Sequence, residues 1–88
     1  MVKKAIDYYQ YAVVLDPTRP TGYFYSAVAY DSIKDYIHAL KDFTSAIKCN
    51  DRSGDLDPYV LLFNRSVVAS KLGMDHYAVA DLNKALAM

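Results

Sequence analysis

Three times in 88 residues the chain sets an alanine, a large apolar residue four positions on, and a second alanine three positions further. The copies are Ala5, Tyr9, Ala12; Ala39, Phe43, Ala46; and Ala78, Leu82, Ala85. Steps of four and three return to the same side of an α-helix, so each copy lays small, large and small groups along one face. The small groups let a second helix come close, and the large one fills the groove between them. The first two copies lie 34 residues apart and the last two 39. A looser pattern precedes the later copies at a constant offset of sixteen residues: Tyr23, Ala27, Tyr30 before Ala39, and Leu62, Ser66, Ala69 before Ala78. The chain is therefore expected to be all-α and built from repeated helix pairs.

Stop and start signals divide these patterns into five helices, at roughly 2 to 15, 20 to 33, 36 to 49, 58 to 72 and 75 to 87. Pro17 and Pro20 in "LDPTRP" end the first helix and open the second, because proline cannot continue a helix but fits its first turn. Asp57 and Pro58 repeat the start signal, a carboxylate cap followed by proline. Asp35 is read as the cap of the third helix, Gly73 as the stop of the fourth and Asp75 as the cap of the fifth.

Composition narrows what such a chain does. It is 53% hydrophobic and 23% charged with only three Gly and three Pro, which favours an ordered fold. Ten basic and ten acidic residues cancel, so neither nucleic acid nor an anionic membrane is an expected partner. No apolar run is long enough to span a bilayer, and "MVKKAIDYY" lacks the apolar core of a secretory signal; the reading is an intracellular, cytoplasmic chain. The single Cys49 makes no internal disulfide and is read as a small hydrophobe on a helix face.

A 34-residue helix–turn–helix unit with Tyr23, Ala27, Tyr30, Ala39 and Phe43 at these positions resembles the tetratricopeptide repeat. "LLFNRSVVASKLG" followed by "ADLNKAL" resembles another form of the same repeat, with Asn64-Arg65-Ser66 and Leu72-Gly73 in place. The resemblance implies a right-handed superhelical solenoid of antiparallel helix pairs. On it, residues 1–17 are the second helix of a partial repeat, 18–51 a complete repeat, 52–57 an inserted loop and 58–88 a further repeat. Four residues depart from the pattern: Asp51 stands where a closing proline is usual, Ser26 and Arg65 where an apolar residue is usual, and Asp75 where an aromatic is usual. The first helices of such repeats line a concave groove, and the positions that match it here are Thr21, Phe24, Tyr25, Val28 and Ser32, then Val60, Phe63, Asn64, Val67 and Lys71. That surface suits a protein or peptide partner with hydrophobic anchors. Asn64 resembles the middle asparagine of the family's carboxylate-gripping groove, but Phe24 and Val28 occupy the preceding polar positions and donate no hydrogen bonds. A burial role between adjacent helices is the competing reading for Phe24 and Phe63. Tyr9, Tyr30, Tyr36 and Phe43 are expected in the core.

Other candidate sites are weaker. "KCNDRSGDLDPY" puts oxygens at Asp51, Ser53, Asp55 and Asp57, yet a calcium loop counted from Asp51 has Leu56 and Leu62 where it needs glycine and a bidentate glutamate. It is read as a lengthened joint between repeats, five residues longer than the first. His38 and His76 have no second ligand at metal spacing, so no metal is expected. Ser26, Ser45, Ser66 and Ser70 lie within helices without a base, and Gly22, Gly54 and Gly73 are isolated, so neither catalysis nor a cofactor is expected. Two functions follow: a protein-interaction module of a larger protein, or a purely architectural segment. The last helix, with Ala78, Leu82, Ala85 and Leu86, is expected to leave an apolar face open and to promote self-association.

Overall fold

In a computed structural model, residues 2–87 are described; Met1 and Met88, the ends assigned to the first and last units, lie outside them. Five helices and no strands make up these residues: α1 (Val2–Leu15), α2 (Pro20–Ser32), α3 (Tyr36–Ser53), α4 (Pro58–Lys71) and α5 (Asp75–Leu86). Each helix packs chiefly on its chain neighbours, α1 on α2, α2 on α3, α3 on α4 and α4 on α5. The result is a flat slab of 33 × 28 × 14 Å. None of the described helices is long and apolar enough to cross a membrane.

The alanines of the second and third copies do what their spacing implies, whereas Ala5 and Ala12 of the first are half-buried. Ala78 and Ala85, expected on the open face, are instead buried within the slab. Ala27, Ala39, Ala46 and Ala69 are fully buried and Ala85 nearly so, which lets the helices approach closely. Larger side chains fill the remaining space: Phe43, Leu61 and Val68 are almost inaccessible, and Phe24, Tyr30, Tyr36, Leu40 and Leu72 pack around the cluster of Ala27, Ala39, Phe43 and Val68. Of the aromatics assigned to the core, only Phe43 is fully buried; Tyr9, Tyr30 and Tyr36 are half-buried.

The turn within each helix pair has the same construction twice. After α2, the N–H of Asp35 donates to the carbonyl of Tyr30 at 2.9 Å and that of Lys34 to Asp31 at 3.0 Å; after α4, Met74 donates to Ala69 at 2.9 Å and Gly73 to Ser70 at 3.0 Å. These are paired Schellman closures, which require a left-handed residue just past the helix. Lys34 (φ 62°) and Gly73 (φ 76°) fill that position, one with a side chain and one without. Asp35 then caps α3, its carboxylate accepting from the His38 N–H at 3.3 Å. The fifth helix corrects the reading of Asp75: Met74 is the capping residue, without a side-chain bond, and Asp75 stands in the first turn, where its negative charge still suits the helix N-terminus.

A second correction concerns the joint between the pairs. Arg52 and Ser53, assigned to an inserted loop, belong to α3, which runs to Ser53 instead of stopping near Cys49. The cause is Asp51: α1 stops short of Pro17, whereas Asp51 stands at the corresponding place in α3 and lets the helix take another turn. Gly54 then ends it in a left-handed conformation, φ 66°, its N–H bonded to the Asn50 carbonyl at 2.8 Å. Asn50 is buried and holds the short link to α4 through both ends of its amide, Nδ2 donating to the Leu56 carbonyl and Oδ1 accepting from the Leu56 N–H, each at 2.8 Å.

Candidate functional site

The ten groove positions divide by structure. On α2, Phe24 turns inward and meets the Phe43 ring edge-on at 5.9 Å, while Tyr25 and Val28 stand 47% and 42% exposed. Tyr25 is held in place by stacking on Tyr9 at 5.5 Å. Thr21 and Ser32 are exposed, Ser32 donating its hydroxyl to the Ala29 carbonyl of its own helix at 2.7 Å. On α4, Val60, Phe63 and Val67 are 39%, 43% and 37% exposed, with Phe63 stacked on Tyr59 at 6.1 Å. Asn64 donates its amide to the Val60 carbonyl at 2.7 Å, so its hydrogen-bonding capacity is partly spent within α4. Lys71 reaches across to α2, 3.4 Å from the Asp31 carboxylate, and its ammonium lies 5.1 Å from the centre of the Tyr36 ring. That pair brings the C-terminal ends of α2 and α4 side by side. Phe63, Val67 and Lys71 also line an open cleft of about 570 Å³ between α4 and α5, whose far wall is Val79 and Leu82.

Ser26 and Arg65, the two positions at odds with the repeat pattern, turn out to be matched. Ser26 donates its hydroxyl to Asp42 at 2.6 Å and accepts from the Gln10 amide at 2.6 Å, so α1, α2 and α3 meet at one polar point. Arg65 grips Asp81 with two parallel bonds, Nε to Oδ2 and Nη2 to Oδ1, both 2.7 Å, and its Nη1 lies 3.4 Å from the Thr44 hydroxyl. Asp42 and Asp81 each follow their partners by sixteen residues, and Gln10 and Thr44 correspond at the 34-residue spacing. The same three-helix contact is thus made twice with different chemistry. Burial pushes the Asp42 carboxyl above its ordinary value, opposed by the bonds from Ser26 and Gln10. The bonds to Asp81 push the Arg65 guanidinium up in turn and hold its charge. The Tyr77 ring, 5.0 Å from the guanidinium carbon, covers it from the side. These partners were not singled out in the sequence, although the offset of sixteen that joins Tyr23 to Ala39 also joins Ser26 to Asp42 and Arg65 to Asp81.

The oxygens of "KCNDRSGDLDPY" do not converge. Asp57 caps α4 by accepting from the Tyr59 N–H at 2.9 Å, Ser53 accepts from the Asp55 N–H at 3.3 Å, and Asp55 pairs with Arg19 at 2.9 Å, tying this joint to the earlier one. Among the described residues no three His, Cys, Asp or Glu side chains come together at metal-binding distance. His38 pairs with Asp35 through Nδ1 at 2.8 Å and stacks on Tyr30. Cys49 is half-buried, its thiol 3.5 Å from the Pro17 carbonyl. Scanning the chain against protein-family models and curated proteins gives no match.

Proposed function

We propose that this chain is a segment of tetratricopeptide-like helix pairs, stacked as a right-handed superhelical solenoid, that serves as a protein-interaction module and receives a partner peptide along α2 and α4. The observation that carries this reading is the exposure of Tyr25, Val28, Val60, Phe63 and Val67 at 37–47% on two helices whose ends Lys71 and Asp31 join. Apolar side chains so held cost free energy in water that a partner's apolar anchors recover, at roughly 25 cal/mol per Å² covered. Polar groups on the same faces, Ser32 and Asn64, bond carbonyls of their own helices, which favours an apolar contact over recognition of a carboxylate.

The test is selection of peptides from a displayed random library on the chain, followed by binding to the Tyr25→Ala, Val28→Ser and Phe63→Ala variants. Peptides with hydrophobic anchors that lose affinity about tenfold or more on variants of unchanged melting temperature support the module. Phe24 is unsuited to this test because its ring is packed on Phe43. That packing favours an architectural role at this one position. If no selected peptide depends on Tyr25, Val28 or Phe63, the segment is a spacer in a larger scaffold.

A further inference from the structure

The joint between α1 and α2 and the last turns of α3 face each other across an open cleft of about 480 Å³, with residues 17–19 on one side and Lys48, Cys49, Arg52 and Ser53 on the other. Two contacts hold the walls together: the Cys49 thiol lies 3.5 Å from the Pro17 carbonyl, and Arg19 pairs with Asp55 at 2.9 Å. The α3 wall is this long because the helix runs past Asp51 to Ser53 and so carries Arg52 and Ser53. Both walls lie inside the array, with helices before and after them, and neither includes a residue of the α2–α4 groove.

The charge of this cleft is one-sided, although the whole chain sums to zero. Asp16 and Asp55 are both engaged by Arg19, at 3.6 and 2.9 Å. Asp51 stands between the two α3 cations in sequence, but it lines the gap between α3 and α4 with Ile47 and Leu61. Among the described residues neither Lys48 nor Arg52 forms an ion pair, which leaves two exposed cations one helical turn apart on the same wall. Packing does not ask for them, since Val14 and Thr18 hold the same places 34 residues earlier. Arg52 suits the negative end of the α3 dipole, whereas Lys48 stands before the last turn, where that field fades. The Ser53 hydroxyl accepts from the Asp55 N–H at 3.3 Å and keeps its own proton to donate. Pro17, Cys49 and the aliphatic stems of the two cations make the rest of the lining apolar.

We infer that this cleft binds a phosphate monoester carried on a side chain of a peptide partner. The count of charges selects phosphate over carboxylate. Near neutral pH the ester carries about −1.5 to −2 charges and three acceptor oxygens, enough to meet both cations and the Ser53 hydroxyl, whereas one carboxylate leaves a cation unmet. The size of the cleft selects an ester over the free ion: about 480 Å³ is in the range of small-molecule sites, and the space against Pro17 and Cys49 takes the apolar part of the side chain that bears the phosphate. A phosphotyrosine ring fills that space best. The inference adds a second contact to the proposed interaction module without using its groove, so either can fail while the other stands.

The probe is a short capped peptide of alanines around one phosphotyrosine, titrated into the intact chain at pH about 7.5 and low salt, with binding read from backbone amide shifts. Saturable one-to-one binding that moves the amides of Thr18, Cys49, Arg52 and Ser53 is the expected result, weakened about tenfold or more by Lys48→Gln or by Arg52→Gln at unchanged melting temperature. Arg52→Lys, which keeps the charge, should retain most of the affinity. Tyr25→Ala should leave it unchanged, which separates this site from the groove. Equal binding of the unphosphorylated peptide or of one with glutamate in that place, affinity for inorganic phosphate as high as for the peptide, indifference to both glutamine variants, or no binding up to about ten millimolar peptide would each overturn the inference.

Discussion

The Arg65–Asp81 pair offers a sharp test of how the helix pair α4–α5 is held. Its side chains are 14% and 8% exposed and its two bonds are both 2.7 Å. Removing Asp81 strands a buried guanidinium that keeps only a long contact to Thr44 and the flank of Tyr77. An uncompensated buried charge of this kind costs about 3–5 kcal/mol. In a domain of this size that corresponds to a fall in melting temperature of at least about 12 °C. The assay is urea denaturation of the wild type, Asp81→Ala, Arg65→Met and the double variant Arg65→Met/Asp81→Leu. The double variant exchanges the charges for apolar side chains of similar volume and is expected within about 1 kcal/mol of the wild type, or above it. The surface pair Arg19–Asp55, with a bond as short as 2.9 Å but side chains 63% and 29% exposed, serves as control and should yield less than about 1 kcal/mol. An Asp81→Ala cost as small as that control would refute the reasoning, since the buried pair would then behave as a solvated one.

Other perturbations test the turns, the polar point and the close approach of α1 and α2. Lys34 holds a left-handed conformation that glycine adopts freely at the matching position 73, so Lys34→Gly is expected to raise stability by about 1 kcal/mol in thermal melts. Burial raises the Asp42 carboxyl in the folded state, so between the ordinary carboxylate value and that raised value the folded chain holds more protons than the unfolded one. The Asp42 contribution to stability is therefore full below this window and declines as pH rises through it. Urea melts from about pH 3 to about pH 7 should show the Asp42→Asn variant gaining on the wild type as pH rises; a gap of opposite slope counts against the burial argument. Gly22→Val would drive a side chain into Val13 and should cost about 1–3 kcal/mol by chemical denaturation, despite valine's better helix propensity.

Much of this fold was legible because its information is periodic. The spacing of Ala39, Phe43 and Ala46, and the Asp57-Pro58 start, depend only on helix geometry and on proline's missing donor, and the starts of α2, α3 and α4 follow from cap and proline signals with no knowledge of partners. The end of α3 was not legible from the repeat, because it depends on the absence of a proline at Asp51 and on what the next residues then do; Gly54, four positions from Asn50, was the better stop signal. The cap of α5 misled for a related reason, although the helix begins at Asp75 as expected. Asp75 has the chemistry of a cap, but the turn geometry set by Gly73 places Met74 at the capping position. The sequence assigns Phe24 and Phe63 the same repeat position but not their environment: Phe24 lies against Phe43 and Phe63 lines the open α4–α5 cleft. What separates them is the presence of a following helix, which no local pattern encodes. Ser26 and Arg65 looked like faults in an apolar stripe because their partners are sixteen residues away on another helix.

The central claim is that α2 and α4 dock on the helices before them in one shared register. Nuclear Overhauser contacts in solution test it directly. The account predicts cross-peaks from the Val13 methyls to the Gly22 α-protons and from the Ile47 methyls to the Leu61 methyls, together with contacts of Gln10 to Ser26 and Thr44 to Arg65. A set displaced by one helical turn in one pair and not in the other would contradict it.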